Sequence, residues 1–290
     1  MNNRATNNAL VFVALGLAIV AILVCVTGLY EGRPSEASTA QSGLRDRLRN
    51  KSPIRVGYAN NEPQSFRDGG QSTPQGFYID LVNEVASRAQ VKVEWEEVTF
   101  ANTQIALEGR LDAVVGAGFV SPERAKDLWF SQTVIQVGLG YLSKTGDERF
   151  RDLSSLNRPG LRIACALGSA SEEYIDAHLP NAVKVSLPKG ELMQVGLEVL
   201  SGRADAGIVN QAQCFKITQQ HGELHNPVAD KPFSVFNSGI TIKYGDIESQ
   251  AFWNTAIDVL EADGFLDDLN ARYNSGDRFW TLYSSKVRHD

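Results

Sequence analysis

The sequence is poor in the residues that most often announce chemistry: 290 residues include three cysteines, four histidines and two methionines. His178, His221, His225 and His289 are scattered, and no Cys/His group has metal-ligand spacing, so neither a structural metal nor a cofactor is expected. No block of Lys or Arg interrupts a net charge of −6, which removes the electrostatic footprint of a nucleic-acid binder. There is no nucleophile-elbow motif and no phosphate-binding loop. Cys165 and Cys214 could close a disulfide in an oxidising compartment or stay as buried free thiols, and their spacing leaves both open.

What is present is an ordinary globular composition, 43% hydrophobic and 21% charged, enough for one large or two medium domains. The N-terminus departs from it. Residues 9–30, from Ala9 to Tyr30, carry no charge, a run long enough to cross a bilayer core of about 30 Å. We read this run as a transmembrane anchor with residues 1–8 as a short cytoplasmic end; a cleaved signal peptide, with "STA" before Gln41 as the processing site, is the alternative. Cys25 follows Val24 and so lacks the Leu-x-Gly/Ala-Cys pattern of a lipoprotein. Residues 31–52, rich in Ser, Ala, Gln and Arg, read as a linker, partly helical near "LRDRLRN".

The globular part contains a duplication. "LEGRLDAVVGAG" (Leu107 to Gly118) and "LSGRADAGIVNQ" (Leu200 to Gln211) share the frame Leu-x-Gly-Arg-x-Asp-Ala followed by an apolar run. Each reads as a helix end, a Gly cap and a buried strand. Upstream of each lies the same alternation: "IRVGYA", "FYIDLVNEVASRA", "VKVEWEEV" and "ANTQIALEG" before the first, "LRIACAL", "SEEYIDAHL", "AVKVSL" and "GELMQVGLEVLSG" before the second. Two βαβαβ units predict two similar α/β lobes with parallel sheets. "IESQAFWNTAIDVLEADGFLDDLNARYNS" predicts two amphipathic helices broken at Asp263-Gly264, packed back onto the first lobe. Lobe 1 is therefore expected to span 53–135 plus 240–285 and lobe 2 139–236, with the chain crossing near "VIQVGLGY" and "NSGITIKY".

Ligands of open α/β sheets bind beyond the carboxyl ends of the strands, where helix N-termini present free N–H groups. Two hinged lobes make a cleft that can close on a small molecule. "GAGFVSPER" places Ser121 as an N-cap, Pro122 in the first turn and Arg124 near the cleft floor, where a guanidinium could grip a carboxylate bidentately. Ser169-x-x-Glu172 fits a capping box on the facing lobe.

From residue 53 to residue 275 the chain resembles the family 3 extracellular solute-binding proteins, the periplasmic amino-acid-type binding proteins of ABC importers. The resemblance rests on "GFYIDLVNEVASR", "SPERAKDLWFS", both Gly-Arg-x-Asp-Ala frames and "VLEADGFLDDLNARY" taken together. It implies a two-lobe type II periplasmic-binding fold with a two-strand hinge, a carboxylate-bearing ligand and an ABC permease as partner. Among the residues, it implies a carboxylate grip by Arg124, contacts from Ser169 and stacking by Phe100, with Tyr58 and Asn61 in a further contact region and Gly118 beside the grip. Phe119 stands where the family commonly has a Thr or Ser, and Asn210 where it usually has an Asp that pairs with the ligand's α-ammonium. A ligand that keeps a carboxylate but lacks a free α-ammonium, or presents it to another group such as Glu62, would suit both departures. The reading is a binding protein and not an enzyme. Its rivals are a dehydratase of cyclic acids on the same fold, using Glu62, Glu172 or Glu173, and a membrane-anchored sensing or accessory domain.

Overall fold

The computed structural model describes residues 43–283 apart from Arg151, Gly190, Ser275 and Asp277. The apolar run over residues 9–30 and Cys25 lie outside the described residues, and among those described no helix is long and apolar enough to cross a membrane.

The first described element falls in the expected linker, at the stretch read as partly helical. Helix α1 (Leu44–Arg49) buries Leu44 to 3% exposure in the core of the first lobe, and Arg47 reaches Asp112 at 3.3 Å and donates to the Pro53 carbonyl at 3.1 Å. One apolar anchor and one ion pair are enough to hold residues that composition alone assigns to a tether.

The first α/β unit follows as β1 (Ile54–Ala59), α2 (Phe77–Arg88), β2 (Val93–Val98), α3 (Thr103–Gly109), β3 (Ala113–Val115) and β4 (Leu128–Phe130). The chain then crosses on β5 (Ile135–Lys144) and builds β6 (Arg162–Ala166), α4 (Ala170–His178), β7 (Val183–Leu187), α5 (Leu192–Leu200), β8 (Ala206–Asn210), α6 (Gln211–Gln220) and β9 (Leu224–His225). It returns on β10 (Ser234–Ser238) and β11 (Thr241–Lys243) and finishes with α7 (Ile247–Ala262), α8 (Phe265–Tyr273) and β12 (Trp280–Leu282).

Strand order repeats between the lobes. One sheet runs β2-β1-β3-β11-β4 and the other β7-β6-β8-β5-β10; β2-β1-β3 and β7-β6-β8 are parallel trios. In each sheet the next strand, β11 or β5, is antiparallel and is one of the crossing strands, so the sheets are mixed where parallel ones were expected. The duplicated Asp explains part of the repetition. Asp112 accepts from the Arg55 backbone N–H at 2.8 Å, and Asp205 accepts from the Arg162 N–H at 3.0 Å, each at the start of the lobe's central strand. Both carboxylates also pair with that residue's own guanidinium. The motif thus fastens the cleft-distal end of each sheet.

Helices α7 and α8 present Trp253, Ile257, Leu260, Leu266 and Leu269 to the first lobe, and Gly264, with φ +84°, makes the break between them. Trp253 and Phe77 are fully buried there, and the burial of Phe77 is worth roughly 1.5–3 kcal/mol of transfer free energy. Tyr141, Leu156, Ile163 and Ile208 centre the second lobe's core. A third apolar cluster joins Ala59, Val98 and Phe100 of lobe 1 to Ala166 and Leu192 of lobe 2, so the lobes meet.

The hinge contains more than two crossing strands. Residues Ile135 to Val137 of β5 pair with Ser238 to Phe236 of β10 on one side and with Leu282 to Trp280 of β12 on the other.

Candidate functional site

The cleft lies between the carboxyl ends of both parallel trios. Its inner cavity, about 30 Å³, is lined by Asn61, Gln64, Phe100, Gly118, Phe119, Ser169, Asn210 and Phe236 among others, and none of its lining residues is charged. A larger mouth cavity of about 380 Å³ opens beside it, between Phe100, Phe119, Arg124, Leu128, Gly168, Ser169 and the acids Glu172 and Glu173. The inner space suits a few waters at most, whereas the mouth falls in the size range of small-molecule sites.

Arg124 belongs to the mouth. It does not begin an α-helix: Arg124–Lys126 is a single 3-10 turn, because β4 starts only two residues later. The Ser121 hydroxyl still accepts from the Arg124 backbone N–H, at 3.2 Å, as the expected cap. The guanidinium donates through Nη1 to the carbonyls of Ala117 at 2.6 Å and Phe119 at 3.0 Å, and lies 4.2 Å from the Phe119 ring centroid. Among the described residues Nε and Nη2 have no hydrogen-bond partner, and these two donors form the edge that a carboxylate would take. Burial pulls the guanidinium down to about 10, with the charge of Glu173 acting the other way, so the group remains cationic at neutral pH and poorly solvated.

Gly118 approaches the crossing chain closely: a Cβ there would lie 1.8 Å from the Gly239 carbonyl oxygen. Phe119 continues the contact by bridging to Ser238, and its ring meets Phe236 edge-on at 5.8 Å. Phe100 lines both cavities. Ser169 caps α4 by accepting from the Glu172 N–H at 3.3 Å, while its hydroxyl donates to the Ala166 carbonyl at 2.7 Å. The reciprocal half of the expected capping box is shifted by one residue, since Glu172 accepts from Gly168 N–H at 2.7 Å.

Asn210 caps α6 by accepting from Gln213 N–H at 3.0 Å, and its amide donates across the cleft to Asn61 Oδ1 at 2.9 Å. Asn61 in turn donates to the Gly116 carbonyl at 3.1 Å. Tyr58 is not part of the cleft. It packs edge-on against Trp95, bonds Glu97 at 3.2 Å and faces the first lobe's core, where burial and then Glu97 push its hydroxyl up to about 12. Gln64, 2% exposed, and Phe236 line the inner cavity without having been expected there. Proximity to Asn61 on the β1–α2 loop was the available signal for the first, and the crossing stretch for the second.

The lobes are also joined directly. Ser121 donates to Glu173 at 2.9 Å, Gln213 donates to the Glu62 carbonyl at 2.5 Å, and Lys216 pairs with the Glu62 carboxylate. The three acids weighed for proton transfer are therefore engaged. For Glu172, burial alone would raise the carboxyl, but hydrogen bonds from Ser186, the Gly168 N–H and Lys184 hold it below its usual value. Cys165 and Cys214 are free and buried, which answers the open question of pairing; burial pushes both thiols up, Cys165 to about 12.

Two duplicated lobes, antiparallel crossing strands and a cleft at the carboxyl strand ends define the α/β periplasmic-binding fold. The chain belongs to the bacterial extracellular solute-binding proteins, family 3, whose model matches residues 54–276. It is similar to an L-arginine-binding protein of Pseudomonas aeruginosa, with 24% identity over 78% of this chain and 89% of the other. An L-cystine-binding protein of Escherichia coli K12 is 22% identical over 84% of this chain and 90% of its own length. Among solved structures, an ancestral amino acid-binding protein, a precursor of cyclohexadienyl dehydratase, superposes with a TM-score of 0.70 at 27% identity, covering 79% of this chain and 98% of that one.

Proposed function

We propose that this chain binds a small carboxylate-bearing solute between its lobes and delivers it to an ABC importer, with residues 9–30 as a membrane anchor on the extracytoplasmic side. Family membership supports the transport role, since the similar proteins named above bind amino acids. The observation that carries the solute class is Arg124: partly buried, cationic, with Nε and Nη2 unused, and lining a cavity of about 380 Å³. A desolvated guanidinium with unused donors gains most from an anion that accepts both of them.

The solute keeps its carboxylate but does not rely on an α-ammonium. The acceptor oxygen of Asn210 is already committed to Gln213, and Glu62, the candidate substitute charge, is already paired with Lys216. No anionic group lines the inner cavity, and of the acids that line the mouth Glu123, Glu172, Glu173 and Asp176 are already engaged by Lys126, Ser186, Ser121 and Lys184. The dehydratase alternative is disfavoured because Glu62, Glu172 and Glu173, the three acids weighed for proton transfer, each have a partner.

Titration calorimetry of the full-length protein in detergent, against amino acids and their deaminated analogues, tests the reading, after native mass spectrometry for a co-purifying solute. The deaminated acids should bind, and Arg124→Met should weaken them by about a hundredfold, in line with roughly 1.5–3 kcal/mol for a charged hydrogen-bonded pair. Binding that is indifferent to Arg124→Met would refute the assignment.

A further inference from the structure

Three cavities meet in the interlobe space, and one side chain walls all of them. Phe119 lines the mouth cavity of about 380 Å³, the inner cavity of about 30 Å³ and a hinge-side cavity of about 130 Å³ that it shares with Leu139, Tyr174 and Phe236. Among their lining residues it is the one common to all three. Arg124 lines the mouth alone, and Asn61 and Asn210 line the inner cavity alone. The groups that would hold the two charged ends of an α-amino acid therefore open into separate spaces; Phe119, Phe100 and Ser169 line both, and of these three Phe119 alone also contacts the Arg124 guanidinium through its ring.

The ring has little freedom to withdraw. Its residue is 7% exposed and its backbone is pinned on both sides, by Gly239 N–H donating to the Gly118 carbonyl at 3.0 Å and by Val120 N–H donating to the Asn237 carbonyl at 2.8 Å. The Phe119 carbonyl accepts from Arg124, whose guanidinium sits over the ring, while Phe236 closes the hinge side. Cation–ring and ring–ring contacts of this kind resist displacement by a ligand that offers nothing in exchange.

We propose that Phe119 is the specificity-determining residue of this cleft, a partition that confines the solute's carboxylate to the mouth side of Arg124 and prevents an α-amino acid from spanning Arg124 and Asn210. This rests on the solute-binding reading above. A smaller residue joins the inner space to the mouth and lets one ligand reach both groups. The partition selects by connectivity, because it changes which polar groups can be engaged together and leaves each of them in place.

The test is a selectivity ratio. Full-length wild type, Phe119→Ser, Phe119→Val and Phe119→Leu are titrated with two pairs of probes, L-glutamine with 4-carbamoylbutanoate and L-arginine with 5-guanidinopentanoate. The expected result is a shift of the ratio toward the α-amino acid by at least tenfold in Phe119→Ser, a smaller shift in Phe119→Val and none in Phe119→Leu. A general loss of packing would weaken both members of each pair and leave the ratio where it was. Thermal unfolding accompanies each titration, and the Val variant decides the question if the Ser variant does not fold. An unchanged ratio in folded Ser or Val variants, with deaminated acids still bound through Arg124, overturns the partition and leaves the solute reading intact. If neither wild type nor variants bind any probe, both fall.

Discussion

At Gly168 the second lobe's backbone closely approaches that of the first, and replacing it with alanine separates local strain from interlobe contact. Its φ of +75° belongs to the left-handed region, and an added Cβ would sit 2.7 Å from both Cα and N of Ala101 and 2.9 Å from the Phe100 carbonyl carbon. The left-handed conformation costs an alanine about 1–2 kcal/mol. That cost is fixed by the turn into α4 and applies however the lobes are arranged. The collision applies only when they are shut. Relief to an ordinary contact of about 3.6 Å needs roughly 1 Å of separation. A shift of that size would stretch the 2.9 Å bonds Asn210–Asn61 and Ser121–Glu173 beyond hydrogen-bonding range. Losing two such bonds, at about 0.5–1.5 kcal/mol each, lowers the closed population by about tenfold to a hundredfold. Spin labels at Ile105→Cys on α3 and Leu197→Cys on α5, both exposed, would report the interlobe distance in a Cys25→Ser background. Cys165 and Cys214, 0% exposed, should stay unlabelled. Gly168→Ala should lengthen and broaden the distance distribution. A distribution superimposable on that of the parent, in a folded protein, would refute the reasoning.

Other consequences can be checked independently. Asp205→Asn should destabilise the second lobe by about 1 kcal/mol in urea unfolding, since it weakens a charge-assisted contact to Arg162. The hydrogen bond from Arg162 first, and the charges of Arg162 and Arg149 as well, hold the Asp205 carboxyl below its ordinary value, so its stabilising effect is complete above the unfolded value of about 3.9 and disappears as pH falls through the lower folded one. The difference between parent and Asp205→Asn should accordingly shrink below about pH 4, and a difference that grows there would contradict it. Both buried thiols should be silent to Ellman's reagent at pH 8 in the native Cys25→Ser protein and appear together on denaturation; early reaction of one would contradict its burial. Trp280, 3% exposed and edge-on to Phe77 at 5.5 Å, should cost about 3–5 kcal/mol when cut to alanine, measured by chemical denaturation.

The duplicated lobes were legible because the frame Leu-x-Gly-Arg-x-Asp-Ala does local work. Its Asp fastens a backbone N–H at the start of the neighbouring strand, and such spaced chemistry leaves an imprint in sequence. Arg124 was singled out by its place after a buried strand, and Phe119 and Asn210 by the resemblance, as departures from the family's usual residues. Tyr58 was expected at the cleft because the resemblance makes the carboxyl end of the first strand a contact region, whereas it still lies inside β1 and belongs to the first lobe's core. Strand β12 was hidden for a different reason: it has three residues, and its partner on β5 is far away in sequence. The division of the cleft depends on side chains from two distant chain segments, Phe119 with Arg124 and Phe236, and no pattern along one segment encodes it.

The third hinge strand alters how the lobes can move. A pair of crossing segments behaves as a strap, free to fold and also to twist along its length. With Gln136 held between Asn237 of β10 and Thr281 of β12, the strap becomes a ribbon three strands wide whose outer edge is anchored through Trp280 in the first lobe. Torsion would have to shear both ladders at once, whereas flexing across the ribbon need not. Lobe 2 is thereby guided on a single swing, like a door on a broad leaf hinge, and the two faces of the cleft meet in the same register each time it shuts.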